Sequence, residues 1–153
     1  MCYDNNHSDY QKGLEVAPSE YKRSRQRERM LEILRSTGSH PTATWLYNEL
    51  KKDFPNLSMG TVYRNLSILM EQGLVKKHEF GSTFDHYEAN TEPHYHFICE
   101  KCGRIIDLEI SVDPGLEEQV RKTTAYAVHR HKLVFYGICD ACSTADSKGQ
   151  KGH

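Results

Sequence analysis

No apolar run in this chain approaches the length needed to cross a bilayer, and residues 1–18 lack both the basic start and the hydrophobic stretch of a secretory signal. The sequence is therefore read as that of a cytoplasmic protein with no membrane partner. It also lacks a glycine-rich substrate loop and a repeated barrel-strand pattern, which counts against an enzyme. Its net charge is only −1 at pH 7, so overall charge names no partner. With 37% hydrophobic residues, 153 residues suffice for one ordinary core or two small domains.

Cysteine is scarce, yet four of the five cysteines form two matched pairs, Cys99-Glu-Lys-Cys102-Gly and Cys139-Asp-Ala-Cys142. A two-residue spacer turns the chain back so that both thiolates of a pair reach one tetrahedral ion, and Gly103 can take the positive φ such a knuckle needs. A four-cysteine Zn(II) site is the favoured reading. A redox dithiol, an iron–sulfur cluster and disulfides are the alternatives. Because 36 residues separate Cys102 from Cys139, any shared ion staples distant segments. Cys2, in a polar leader, reads as a free thiol in a reducing compartment.

The small net charge conceals two unlike halves. Residues 20–80 hold 11 Lys and Arg against 7 Asp and Glu, whereas residues 81–153 hold 8 against 11. An anion-binding module followed by a cation-binding one is the implied order. In the basic half, periodicity predicts a helix over 20–35 with Met30, Ile33 and Leu34 inward, and a second over 42–53 with Ala43, Leu46, Tyr47 and Leu50 inward. Ser58 caps a third, whose Val62, Leu66 and Leu69 form its apolar stripe and which Gly73 stops. Tyr63, Arg64 and Asn65 are expected to point away from that stripe. Two strands, 74–80 and 83–89, flank the Gly81-Ser82 turn. Three helices and a hairpin make a winged helix, with a small helical domain bearing a solvated face as the alternative. In the winged helix the third helix enters the major groove, so Ser58, Thr61, Tyr63 and Arg64 are candidate DNA contacts and Arg27 on the first helix a phosphate contact.

In the acidic half, His94 and His96 alternate with Tyr95 and Phe97, so on a strand both imidazoles project from one face. Glu88, at the end of the hairpin, Asp107, on a strand near 104–109, and His40, in the loop before the second helix, are the ligands expected to join them. Three imidazoles and two carboxylates suit Fe(II), Mn(II) or Zn(II) and leave the ion exchangeable. A surface histidine pair is the plain alternative. Asp113-Pro114 opens a further helix carrying Leu116 and Val120, residues 126–136 read as one long strand, and 143–153 read as a disordered tail.

Together these residues resemble the ferric uptake regulator superfamily. The resemblance rests on Ser24-x-Gln26-Arg27, His40-Pro41-Thr42-Ala43, Phe54-Pro55-Asn56-Leu57-Ser58, Thr61-Val62-Tyr63-Arg64-Asn65-Leu66, the run from His94 to Gly103, and Tyr136-Gly137-x-Cys139-x-x-Cys142. It implies an α+β homodimer with a winged helix-turn-helix domain at 20–89, a hinge at 90–93 and an α/β dimerisation and metal-binding domain at 94–142, after a leader at 1–19. It further implies a structural zinc on Cys99, Cys102, Cys139 and Cys142, and a regulatory Fe(II) or Mn(II) on His40, Glu88, His94, His96 and Asp107.

The expected function is metal-dependent repression at palindromic operator DNA. Asp107 looks like the peroxide-sensing branch, in which iron-catalysed oxidation of ligand histidines, here His40 or His94, releases the repressor. Glu88 looks like the iron-uptake branch, the alternative reading. Pro93 and Tyr95 stand where iron-uptake regulators often offer ligands for an additional metal, leaving His131 and Glu117 there. The rival enzyme reading, a non-haem iron oxygenase with His94, His96 and Glu88 as its triad, would show itself by turning over an organic substrate with oxygen.

Overall fold

The computed structural model describes residues 21–148, and backbone contacts divide them into two compact units. Cys2, with the whole leader and Glu20, and residues 149–153 lie outside the described residues. The first unit holds the described residues up to Ser36 together with Pro41–Asn90; the second holds Thr37–His40 and the residues from Thr91 onward.

In the first unit, α1 (Arg25–Ser36), α2 (Ala43–Asp53) and α3 (Met59–Glu71) precede a hairpin of β1 (Lys76–His78) and β2 (His86–Glu88). The helix starts follow local chemistry. Thr42 Oγ1 accepts from the Trp45 amide at 3.3 Å, and Ser58 Oγ accepts from the Thr61 amide at 3.2 Å, so each cap satisfies an N–H that the helix itself cannot. Beyond α3, Gly73 takes φ +70°, which lets the Leu74 amide bond back to the Leu69 carbonyl at 2.9 Å.

Met30, Leu46, Leu50, Val62 and Leu66 are fully buried where the three helices meet. At about 2–5 kcal/mol for truncating such a leucine to alanine, this cluster dominates the unit's stability. Asn65 departs from the sequence expectation: it is buried, because position 65 falls on the same helical face as Val62 and Leu69. The hairpin strands are three residues each, shorter than the 74–80 and 83–89 expected. Lys76 pairs with Glu88 and His78 with His86.

In the second unit, β3 (Tyr95–Cys99) lies between β4 (Ile105–Leu108) and β5 (Val134–Gly137), antiparallel to the former and parallel to the latter. α4 (Gly115–Thr123) crosses between β4 and β5, and α5 (Asp140–Lys148) follows. α4 starts one residue later than Asp113-Pro114 predicts, with Pro114 at the cap position, while Asp113 Oδ1 still accepts from the Gly115 amide at 2.8 Å. The long strand expected over 126–136 is a correction: only Val134–Gly137 is strand. β3 begins at Tyr95, and its pairing with β5 starts at His96 opposite Val134, with the His96 amide still reaching the Leu133 carbonyl at 3.5 Å, so residues before Leu133 have no part of β3 to lie against.

The tail is a second correction. Ser143 to Lys148 continue α5, which Asp140 starts by accepting the Ala141 amide at 2.8 Å. No residue of α4 is buried. The second unit thus has a thin apolar core, the situation in which a metal contributes most to folding.

Candidate metal centres

Parallel strands end together, and that fact builds the sulfur site. Cys99 ends β3 opposite Gly137 at the end of β5, so the knuckle after β3 and the one after β5 emerge at the same end of the sheet. Gly103 has φ +72°, as the first knuckle requires, and its amide donates to the Cys99 carbonyl at 2.8 Å. All four sulfurs lie within 4.8 Å of one another.

Cys102 and Cys139 sulfurs are 3.8 Å apart. That is far beyond a disulfide bond, and it matches the edge of a tetrahedron drawn with zinc–sulfur bonds of about 2.3 Å, roughly 3.8 Å. Four cysteines holding a multi-iron cluster would stand farther apart. Backbone amides, that of Cys139 first at 3.4 Å, lower the Cys99 thiol to about 6, while hydrogen bonding to Cys139 pushes the Cys142 thiol up to about 12. Four thiols this close cannot all ionise unaided, and a divalent cation at their centre removes that conflict. The residues fit zinc.

The nitrogen and oxygen site assembles from three places in the second unit. His94 immediately precedes β3 and His96 lies on it, Asp107 comes from β4 directly opposite His96, and His40 from the segment Thr37–His40. One oxygen, Asp107 Oδ1, lies 2.9 Å from His40 Nε2, 3.2 Å from His94 Nε2 and 3.4 Å from His96 Nε2. His94 Nδ1 also lies 2.7 Å from the Glu92 carbonyl, a contact that places the proton on Nδ1. In the neutral ring, Nε2 then turns a lone pair toward a carboxylate oxygen, an opposition that a bound cation resolves. These four side chains therefore fit an exchangeable divalent ion. Glu88, the fifth predicted ligand, belongs to the first unit, where it is buried on β2 with its Oε2 2.8 Å from His78 Nε2.

His131 and Glu117 are joined without a metal. His131 Nδ1 lies 2.9 Å from Glu117 Oε1, and His131 Nε2 lies 2.7 Å from the Tyr95 hydroxyl, which accepts from the Asp113 amide at 2.8 Å. Both ring nitrogens thus stand against protein groups, Nε2 in a hydrogen bond and Nδ1 at ion-pair distance. The His131 ring beside it holds the Glu117 carboxyl below its ordinary value.

The predicted DNA contacts all fall on the first unit. Tyr63 and Arg64 are exposed on α3, Tyr63 by 51%, and Ser58 and Thr61 begin that helix. Arg27, on α1, is partly buried and donates to the Lys22 carbonyl at 2.5 Å. Sequence reasoning passed over His78, whose contact with Glu88 depends on the hairpin register. It also passed over Phe84, 64% exposed in the turn between β1 and β2, although an aromatic in a hairpin turn was a visible signal.

Among the described residues no helix is long and apolar enough to cross a membrane. A peroxide-responsive repressor, PerR, of Staphylococcus aureus strain Mu50 is 36% identical over 132 residues, covering 86% of this chain and 84% of the relative. The peroxide stress regulator of Campylobacter jejuni superposes with a TM-score of 0.62 at 34% identity, over 76% of this chain and 88% of that one. The Helicobacter pylori ferric uptake regulator Fur, described as having three functional metal-binding sites, gives 0.67 at 28% identity, over 80% and 82%. The family model of the ferric uptake regulator family matches residues 18–136, a span that takes in both the capped α3 and the converging imidazoles, and the chain belongs to that family.

Proposed function

We propose that this protein is a metal-dependent transcriptional repressor that binds palindromic operator DNA as a homodimer and lets go when peroxide oxidises a ligand histidine. The observation that carries the reading is the convergence of His40, His94 and His96 on one oxygen of Asp107. Glu88 is proposed to complete the ion's shell from the first unit, while Cys99, Cys102, Cys139 and Cys142 hold a structural zinc. Binding then favours whichever arrangement lets both units supply ligands, and metal occupancy becomes operator occupancy.

Iron held by these residues would supply the reduction of peroxide beside the imidazoles, one peroxide oxygen passing to a ring and the other leaving as water. His40 or His94 gains one oxygen, and the oxidised ring donates less well to a cation. Deprived of that ligand, the site loses its hold on both units and the repressor leaves DNA. No catalytic turnover of an organic substrate is assigned. Support for a dimer comes from apolar side chains left in water on the second unit: Tyr136 is 60% exposed, Ile110 52% and Ile138 49%.

The test is operator binding with Fe(II), Mn(II) or Zn(II), before and after brief peroxide, alongside mass spectrometry. Iron-loaded protein should lose operator affinity and gain one oxygen on the peptide holding His40 or His94. Manganese-loaded protein should repress and remain unmodified. Unmodified histidines with unchanged DNA binding in the iron form would replace this reading with an iron-responsive regulator of iron acquisition, the reading that a glutamate at position 88 favours.

A further inference from the structure

His78 is the last residue of β1, on the hairpin whose other strand ends in Glu88. In the hairpin register His78 faces His86, and Lys76 faces Glu88, so His78 and Glu88 are diagonal neighbours. Their side chains are 7% and 4% exposed, and Nε2 lies 2.8 Å from Oε2. The two atoms are close enough to pair, with the ring standing against the carboxylate rather than in the alignment of a hydrogen bond. The ring cannot swing away easily. Phe80 stacks on it at 5.2 Å between centroids, 13° from parallel.

A long acidic side chain with three rotatable bonds loses much of its freedom when it binds a cation, unless something has already chosen its rotamer. Burial without a partner would also be costly for the carboxylate. We propose that His78 is a positioning residue for the regulatory metal: it fixes the Glu88 carboxylate in the buried hairpin so that the ligand is oriented before the ion arrives. The inference rests on Glu88 being a ligand, as in the proposed function. His78 itself touches no metal; it acts through Glu88 as a carboxylate–histidine pair, the arrangement that commonly tunes metal affinity from outside the coordination shell.

The test uses the full chain with its zinc retained, titrated with Mn(II) while free Mn(II) is read by electron paramagnetic resonance. His78→Leu should weaken Mn(II) binding by roughly 10–100-fold. His78→Gln, whose amide nitrogen reaches about as far as Nε2, should keep most of the affinity, and the shorter His78→Asn should not. Zinc content and metal-free melting report whether each variant is folded. Should His78→Leu fail to fold, the Gln and Asn pair makes the same comparison, and equal affinities in those two would overturn the proposal.

Glu88→Ala separates the two levels of the argument. If Glu88→Ala leaves Mn(II) affinity unchanged, the ligand assignment fails and the inference falls with it. If Glu88→Ala weakens binding but a folded His78→Leu does not, the ligand assignment stands and the positioning role is overturned. In the Glu88→Ala background the His78→Leu loss should vanish. A loss that persisted there would mean that His78 acts by another route, which also overturns the proposal.

Discussion

The Glu117 carboxyl lies below its ordinary value because His131 stands against it, and the sign of the pH effect follows from that depression. The unfolded chain binds a proton near the ordinary carboxylate value, whereas the folded chain resists it until lower pH. The contribution is therefore complete above the unfolded value and disappears as pH falls through the folded one. Glu117→Gln should melt below wild type at neutral pH, and the gap should close on acidification through the carboxylate range, where the protonated acid resembles the amide. Calorimetry of both proteins across that range checks it. At the sulfur site, Cys139→Ser should release zinc and lower the melting temperature by about 10 °C or more, read by elemental analysis and thermal denaturation. Full zinc and an unchanged melt would refute the four-thiolate assignment. The cysteine knuckles were legible as residues because their chemistry lies in a spacing of two. The His78 contact was not legible, because nothing local to position 78 says which residue of β2 stands diagonal to it.

Among elements, α2 and α3 could be read almost to the residue, since Thr42 and Ser58 cap them with hydrogen bonds only three positions long. The strands could not. β1 and β2 end after three residues and β5 after four, limits set by the partner strand and invisible in propensity alone. A stripe of apolar residues also fixes what its helix leaves outside, and on α3 that remainder is Tyr63 and Arg64. Arg64→Ala should cost about 1–3 kcal/mol of operator affinity with little loss on unrelated duplex. Arg27→Ala should weaken both alike and flatten the salt dependence, since a phosphate contact carries no sequence information. Fluorescence anisotropy on operator and scrambled duplexes at several salt concentrations distinguishes them. An operator-specific loss from Arg27→Ala instead would move the recognition surface off α3.

For the molecule as a whole, the order of helices, hairpin, sheet and knuckles was legible because each piece announces itself locally. The parallel partnership of β3 with β5 was not, since its two strands are far apart in sequence and either edge of β3 would satisfy the same hydrophobic pattern. That pairing also imposes an order in time. His96 must find Val134 and Cys99 must find Gly137 before the second pair of sulfurs stands beside the first, and pairing strands so far apart is slow compared with forming a helix or a hairpin, because the entropy of closure is lost before the contacts offset it. Tight zinc capture is therefore a late event, a clock that strikes when the longest-range strand pairing in the second unit has formed. In refolding from denaturant with a zinc-sensitive dye, high-affinity uptake should coincide with the last phase of the second unit, after α1 to α3 have regained their helical signal. Uptake at full affinity in the earliest phase would mean that the knuckles meet before the strands do.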